Sequence, residues 1–294
     1  MPVSIALRLA ALWGLLAPIG LASAQDATPM AGAEVAFVAA LPAEILPGEA
    51  GPVYVERATY EPGASEELVP DNGLTVVVVE TGALAFVGTG VARLLDADGT
   101  VEETLTEGEA DLVPGSGAVL PAGAGATLTN QGTTAATALM IGVYPAAGFE
   151  PVEPSGADAP GGTQNWALLG KGSPQEPPVA STLSVERATL APGAELAMDE
   201  AGVAVAYLET GAIMATVEKG LAEASSGAFL RTGGVGPGAA FVAAGDDRRV
   251  RAEGSLFVQP GTSLTLGNDG DEPAQVLVVR LAPLGLDQGT PVAP

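Results

Sequence analysis

The chain has 294 residues with a formal net charge of −24, 40 glycines and 24 prolines, and neither histidine nor cysteine. The missing side chains exclude disulfides, thiolate and imidazole metal ligands, and every Ser-His or Cys-His catalytic pair. The excess of acidic groups makes nucleic acid and anionic lipid surfaces poor partners, and the length suggests about two domains.

The N-terminal segment has the composition of a secretory signal peptide. Arg8 supplies a positive charge, residues 9–22 form an uncharged apolar run, and Ala22-Ser23-Ala24 offers a cleavage site. The run is shorter than the ~20 residues that span a membrane. We therefore expect cleavage of residues 1–24, a secreted (extracellular or periplasmic) location, and no membrane contact of the mature chain. Residues 25–50, with an apolar run at 35–41, predict a flexible leader and an edge strand.

Residues 51–148 have the pattern of a first β unit, here called the first repeat. Residues 53–60 vary with the period of two that is typical of a strand. The β-branched run at 74–80 predicts a strand that is covered on both faces. Asp96, Asp98 and Gly99 indicate a hairpin turn, because the further ligands of an EF-hand loop are missing.

Residues 149–181 are rich in Pro and Gly and predict a linker, which the apolar residues 166–169 could attach to a domain. Residues 182–284 form a second repeat. Residues 185–189 match 55–59 at an offset of 130, and residues 209–212 match 80–83 at an offset of 129. Nearly constant offsets indicate duplication with loop insertions. The charged residues 246–249 predict a solvated loop, with a recognition patch as the alternative, and residues 285–294 a C-terminal tail.

Both repeats carry turn residues at the spacing of a known motif. Gly115, Pro121, Gly123 and Asn130 fit the pattern G-x5-P-x-G-x2-H-x3-N, with Ala126 at the histidine position. The second repeat matches at Gly254, Pro260, Gly261 and Asn268, with one residue fewer before the glycine and Leu264 at the histidine position. This pattern resembles the second motif of the cupin superfamily.

The other cupin motif, usually written G-x5-H-x-H-x3,4-E-x6-G, is matched at its glycines: Gly63 and Gly82 in the first repeat, Gly193 and Gly211 in the second. Its metal-ligand positions hold other residues, namely Val69, Asp71 and Thr75 in the first repeat and approximately Asp199, Ala201 and Ala204 in the second. The resemblance implies an all-β chain of two tandem jelly-roll barrels, a bicupin. It also implies that the family's centre of three histidines and a carboxylate around a transition metal is degenerate, so we expect no metal ligand, no cofactor and no catalytic residue there.

The lost ligands favour a non-catalytic exported protein that binds a small molecule or another protein, or that has a structural role. The barrel interior could retain a relict pocket for an apolar or sugar-like ligand. Asp71, Thr75 and Asp199 are the candidate polar contacts in that pocket.

Two alternatives remain. Carboxylates cluster at Glu66, Glu67 and Asp71 and again at Asp199 and Glu200, and oxygen ligands suit calcium, magnesium or manganese, which would permit a carboxylate-based enzyme. The acidic surface could instead attract calcium or a basic partner, as in a calcium-responsive surface protein.

Overall fold

The computed structural model describes residues 32–41, 46, 50–70, 72–97, 101–105, 107–146, 164–175, 181–226, 229–230 and 240–283. The predicted signal peptide and C-terminal tail lie outside these residues. The part that is described is built from strands and turns, and it contains no helix of the length and apolarity needed to cross a membrane.

The strands, in chain order, begin with β1 (Ala33–Leu41). The first repeat comprises β2 (Ala50–Tyr60), β3 (Ser65–Leu68), β4 (Leu74–Thr81), β5 (Leu84–Gly88), β6 (Ala92–Leu95), β7 (Val101–Leu105), β8 (Gly108–Leu112), β9 (Gly117–Leu120), β10 (Ala126–Thr129) and β11 (Ala136–Pro145). β12 (Gln164–Gly172) lies between the repeats. The second repeat comprises β13 (Ser181–Leu190), β14 (Glu195–Glu200), β15 (Val203–Thr210), β16 (Ala212–Lys219), β17 (Leu221–Ser225), β18 (Phe229–Leu230), β19 (Ala240–Ala243), β20 (Asp247–Arg251), β21 (Ser255–Val258), β22 (Thr262–Gly267) and β23 (Ala274–Pro283).

Each repeat folds into two facing antiparallel sheets. The small sheets have the orders β3-β10-β5-β8 and β14-β22-β16-β20, and the large sheets contain the orders β2-β11-β4-β9 and β13-β23-β15-β21. This is the two-sheet Greek-key arrangement of the jelly roll. The predicted fold class, an all-β chain of two jelly rolls, is confirmed.

Three apolar cores lie between the four sheets. One fills each jelly roll, and the third fills the space between the two large sheets. Strand β4 contributes to two cores, one on each face. Leu74, Val76 and Val78 belong to the central core. Val77 and Val79 belong to the interior core of the first jelly roll. This is the physical reason for the continuous apolar run at 74–80.

The two large sheets exchange strands at their edges. β1 pairs with β13 of the second jelly roll, and β12 pairs with β2 of the first. Residues 164–172 of the predicted linker are therefore a strand. β12 also packs on the second jelly roll, where a Cβ added at Gly172 would lie 2.0 Å from the Phe257 ring. Glycine is needed there because a side chain would displace that ring.

A quartet of charges joins the two jelly rolls at equivalent positions of the repeats. Arg57 Nε donates to Glu80 at 2.5 Å and Arg187 Nε donates to Glu209 at 2.6 Å, each within one repeat. Arg57 Nη2 also donates to Glu209 at 2.6 Å and Arg187 Nη2 to Glu80 at 2.7 Å, between the repeats. Each of these two arginines therefore contacts both glutamates.

The motif asparagines stabilise matching turns. Asn130 is buried and donates through Nδ2 to the carbonyls of Tyr60 and Thr134, at 2.7 and 2.9 Å, while its Oδ1 accepts from Gly132 N at 2.9 Å. Asn268 repeats these three contacts in the second jelly roll. Neither asparagine has a positive φ, and both stabilise their turns through side-chain hydrogen bonds.

Candidate functional site

The residues at the motif's metal-ligand positions in the first jelly roll point in different directions. Val69 is 54% exposed, and Asp71 lies outside the described residues. Thr75 is half-buried on β4, on the same face as Val77, and Ala126 is buried on β10 in the interior core. Of the three described members of this set, Thr75 and Ala126 therefore face the interior.

In the second jelly roll the interior face of the same region is apolar. Asp199 is exposed on β14, on the face opposite to the buried Leu196 and Met198. Because side chains alternate along a strand, Asp199 points away from the barrel interior, and its prediction as a polar contact inside the barrel is wrong. Ala201 is half-buried in the following turn, whereas the remaining two positions, Ala204 and Leu264, lie in the interior core.

The predicted carboxylate cluster of the first jelly roll is also divided between two faces. Glu67 is exposed, whereas its neighbour Glu66 accepts a hydrogen bond from the Tyr60 hydroxyl at 2.6 Å. Burial of Tyr60 and the adjacent Glu66 carboxylate raise the pKa of the phenol. Among the residues that the structure describes, no three His, Cys, Asp or Glu side chains are placed to hold a metal ion.

One end of the first jelly roll carries a group that we call the tyrosine rim: Tyr54, Thr75 and Tyr144. Cross-strand pairing places Tyr54, Gly142 and Thr75 in one row across β2, β11 and β4. The Tyr54 and Tyr144 rings meet edge to face with centroids 5.8 Å apart. A Cβ at Gly142 would lie 2.9 Å from the Tyr144 ring, so glycine makes room for that ring. All three side chains of the rim are partly exposed.

The electrostatics of the rim favour the neutral form of the Tyr54 phenol. Burial, followed by the neighbouring Tyr144 and Glu56, raises the pKa of Tyr54 above its ordinary value. A neutral phenol can both donate and accept a hydrogen bond. The rim therefore offers aromatic faces beside hydroxyl groups, which is chemistry for binding rather than for proton abstraction.

In the second jelly roll, a buried arginine occupies the row equivalent to the tyrosine rim. Pairing places Ser184, Arg280 and Ala204 side by side, so an arginine stands where the first jelly roll has Gly142. Arg280 Nη1 donates to Glu186, and both side chains are buried, at 3% and 7% exposure. We call this ion pair the arginine plug. Sequence reasoning missed it, although a single arginine in the otherwise apolar segment 276–282 was a visible signal.

A cleft lies on the surface of the second jelly roll. The cleft has a volume of about 240 Å³ and lies between the end of β17 and β20, lined by Ser225, Ser226, Arg248, Arg249, Arg251 and neighbouring small residues. The charged residues 246–249 were predicted as a loop, but Asp247–Arg251 form strand β20. The segment forms a strand and not a loop because Val250, between two exposed arginines, is buried in the interior core.

Solved structures similar to this chain include cupin proteins. AerE from Microcystis aeruginosa is 8% identical, with a TM-score of 0.43 over 83% of this chain and 98% of that one. A cupin 2 conserved barrel domain protein from Leptotrichia buccalis is 11% identical, with a TM-score of 0.37 over 84% and 89%. The oxalate decarboxylase of Lactobacillus farciminis, solved as a formate complex, is 12% identical, with a TM-score of 0.38 over 84% and 86%. No family model and no curated protein sequence matches the chain. Similarities of this size assign neither an activity nor a ligand to it.

Proposed function

We propose that this chain is an exported, non-catalytic protein of two cupin-like jelly rolls, and that it binds a neutral, sugar-like molecule at the tyrosine rim. The observation that carries the proposal is the difference at one equivalent position, Gly142 in the first jelly roll and Arg280 in the second. At the glycine, the Tyr144 ring lies beside Tyr54 and Thr75, and all three side chains stay partly exposed. The arginine fills the same space with a buried ion pair.

The chemistry of the rim fits a ligand with both apolar and hydroxyl faces. Tyrosine presents a rigid apolar ring and a polar hydroxyl, and pockets of this kind combine aromatic walls with a few polar contacts. The net charge of −24 disfavours an anionic ligand. The interior residues Ala126 and Val77 supply no acid or base. Glu56 is a carboxylate beside the rim, on the same face of β2 as Tyr54. We expect it to accept a hydrogen bond from the ligand, and we expect the ligand to be released unchanged.

The test is a titration of the mature protein with neutral mono- and disaccharides, followed by calorimetry and by NMR of the tyrosine rings. We expect at least one sugar to bind, and we expect Tyr144→Ala and Thr75→Ala to weaken that binding about tenfold or more. Ser184→Ala, at the equivalent of Tyr54 beside the arginine plug, is the matched control and should leave the affinity unchanged. Equal binding by Tyr144→Ala would refute the site, and a sugar recovered in altered form would refute the non-catalytic role.

Export has its own test. The mature protein should be found outside the cytoplasm, in the medium or the periplasm, with Gln25 as its first residue by N-terminal sequencing. A protein that keeps residues 1–24 and sediments with membranes would contradict this part of the proposal.

A further inference from the structure

Strands β8 and β20 are edge strands at equivalent positions of the two small sheets. β8 is the last strand in the order β3-β10-β5-β8, and β20 is the last in β14-β22-β16-β20. Within the described part of the chain, β8 pairs only with β5 and β20 only with β16. Each is five residues long. The outer edge of such a strand presents backbone groups that can pair with another chain.

The two edges carry opposite charges on their exposed faces. Glu109 and Asp111 are exposed on β8, whereas Arg249 and Arg251 are exposed on β20. Arg249 contacts Asp269 at 3.0 Å in a largely solvated pair. Arg251 forms no ion pair among the described residues. Because β8 repels β8 and β20 repels β20, only the unlike edges are complementary.

We propose that β8 of one molecule pairs antiparallel with β20 of a second copy. The register that sets Asp111 opposite Arg249 also sets Glu109 opposite Arg251. The same register sets Ala110 opposite Val250, and both of these side chains face the interior cores. Opposite charges facing each other across antiparallel strands stabilise the pair, and like charges destabilise it.

The contact would join the small sheet of one molecule to the small sheet of the next. Since it uses two different edges, it is heterologous, and each molecule has one edge of either kind to offer. A second copy fits as the occupant because the matching charge, strand length and side-chain alternation are all present in this same chain. The cleft beside β20 would be partly covered in the assembly.

The test compares the wild-type protein with two charge-reversed variants by sedimentation velocity over a wide concentration range. One variant, Arg249→Glu with Arg251→Glu, has two acidic edges. The other, Glu109→Arg with Asp111→Arg, has two basic edges. We expect the wild type to associate, and we expect each variant alone to associate at least about tenfold more weakly. Mixing the two variants should restore association, because the acidic edges of one match the basic edges of the other.

A matched control reverses two exposed carboxylates on β14, the opposite edge of the second small sheet. Glu195→Arg with Asp199→Arg should leave association as in the wild type. A monomeric wild-type protein would overturn the proposal. So would variants that associate as the wild type does, or a mixture no more associated than its components. A monomer that binds the polyanion heparin through Arg249 and Arg251 would instead identify β20 as a site for an external partner.

Discussion

Arg57 Nη2 and Glu209 Oε1 lie 2.6 Å apart, although they belong to different jelly rolls and are separated by 152 positions in the chain. The contact is half of a symmetric arrangement, since Arg187 and Glu80 make the same contact in the opposite sense. Their side chains are only 12–31% exposed. The quartet therefore fixes the mutual placement of the two large sheets, and it does so beside an apolar core.

Removing one member of this quartet should destabilise the whole protein. We expect Arg57→Ala to lower the free energy of unfolding by about 1–3 kcal/mol, because two partly buried carboxylates lose a charged donor. Urea denaturation measures the change. Lys219→Ala, at an exposed site on β16, is the control and should change stability by less than about 0.5 kcal/mol. If Arg57→Ala is no worse than this control, the quartet does not hold the jelly rolls together.

The same quartet predicts a dependence of stability on pH. Burial alone would raise the pKa of Glu209, but hydrogen bonds and charges from Arg187 and Arg57 outweigh it and lower the pKa below its ordinary value of 4.5. A carboxyl whose pKa is lowered on folding stabilises the protein fully above its unfolded value and loses that contribution as the pH falls through the folded value. Unfolding measured from about pH 7 to pH 3 should show this loss in the wild type. Glu209→Gln should have a flatter profile below the ordinary glutamate range, and a profile parallel to the wild type would contradict the assignment.

For the arginine plug, we expect replacing Arg280 alone to destabilise the protein more than replacing Arg280 and Glu186 together. Arg280→Met leaves the buried Glu186 carboxylate without its partner and should cost about 3–5 kcal/mol of stability. Glu186→Leu with Arg280→Met removes both charges and should recover most of that loss, because a well-packed apolar pair can replace a buried ion pair. Urea denaturation of the two variants decides the matter. A double variant less stable than the single one would mean that the plug is held by contacts other than this pair.

We expect the two turn asparagines, Asn130 and Asn268, to contribute equally to the stability of the protein. Asn130→Ala and Asn268→Ala each remove three hydrogen bonds made by a buried side chain, and we expect each to lower stability by about 1–3 kcal/mol. Gln131→Ala, which truncates an exposed side chain next to the first of them, is the control. Differential scanning calorimetry of the three variants would show the effect, and losses that differ greatly between the two asparagines would mean that the turns are not equivalent.

Much of the fold could be predicted from local chemistry. The motif glycines Gly63, Gly123 and Gly193 adopt positive φ, the conformation for which glycine is suited. The segments that repeat at offsets of 129 and 130 become equivalent strands because duplication preserves the alternation of side chains. Turn residues and strand periodicity are local properties, and a single sequence displays them directly.

The candidate site was less predictable, because it depends on which face each side chain occupies. Motif spacing placed Asp199 among the ligand positions, but a shift of one residue along β14 turns a side chain from the interior to solvent. The pairing of Tyr54 with Tyr144, and of Glu186 with Arg280, joins residues 90 or more positions apart, and strand register alone brings them together. The calcium-responsive surface protein stays a prediction, which light scattering with and without calcium would test.

Strand β1 precedes the first repeat, but among the described strands its partner is β13 of the second jelly roll. During synthesis β1 is therefore made long before β13, and a chain interrupted after the first repeat would leave β1 without its neighbour. The same incomplete chain would expose the outer, apolar face of its large sheet, with Val55 and Ile141 in water. Exposed apolar surface and unpaired strand edges make incomplete chains prone to aggregation. The strand exchange therefore leaves the beginning of the chain unpaired until the second repeat has been made.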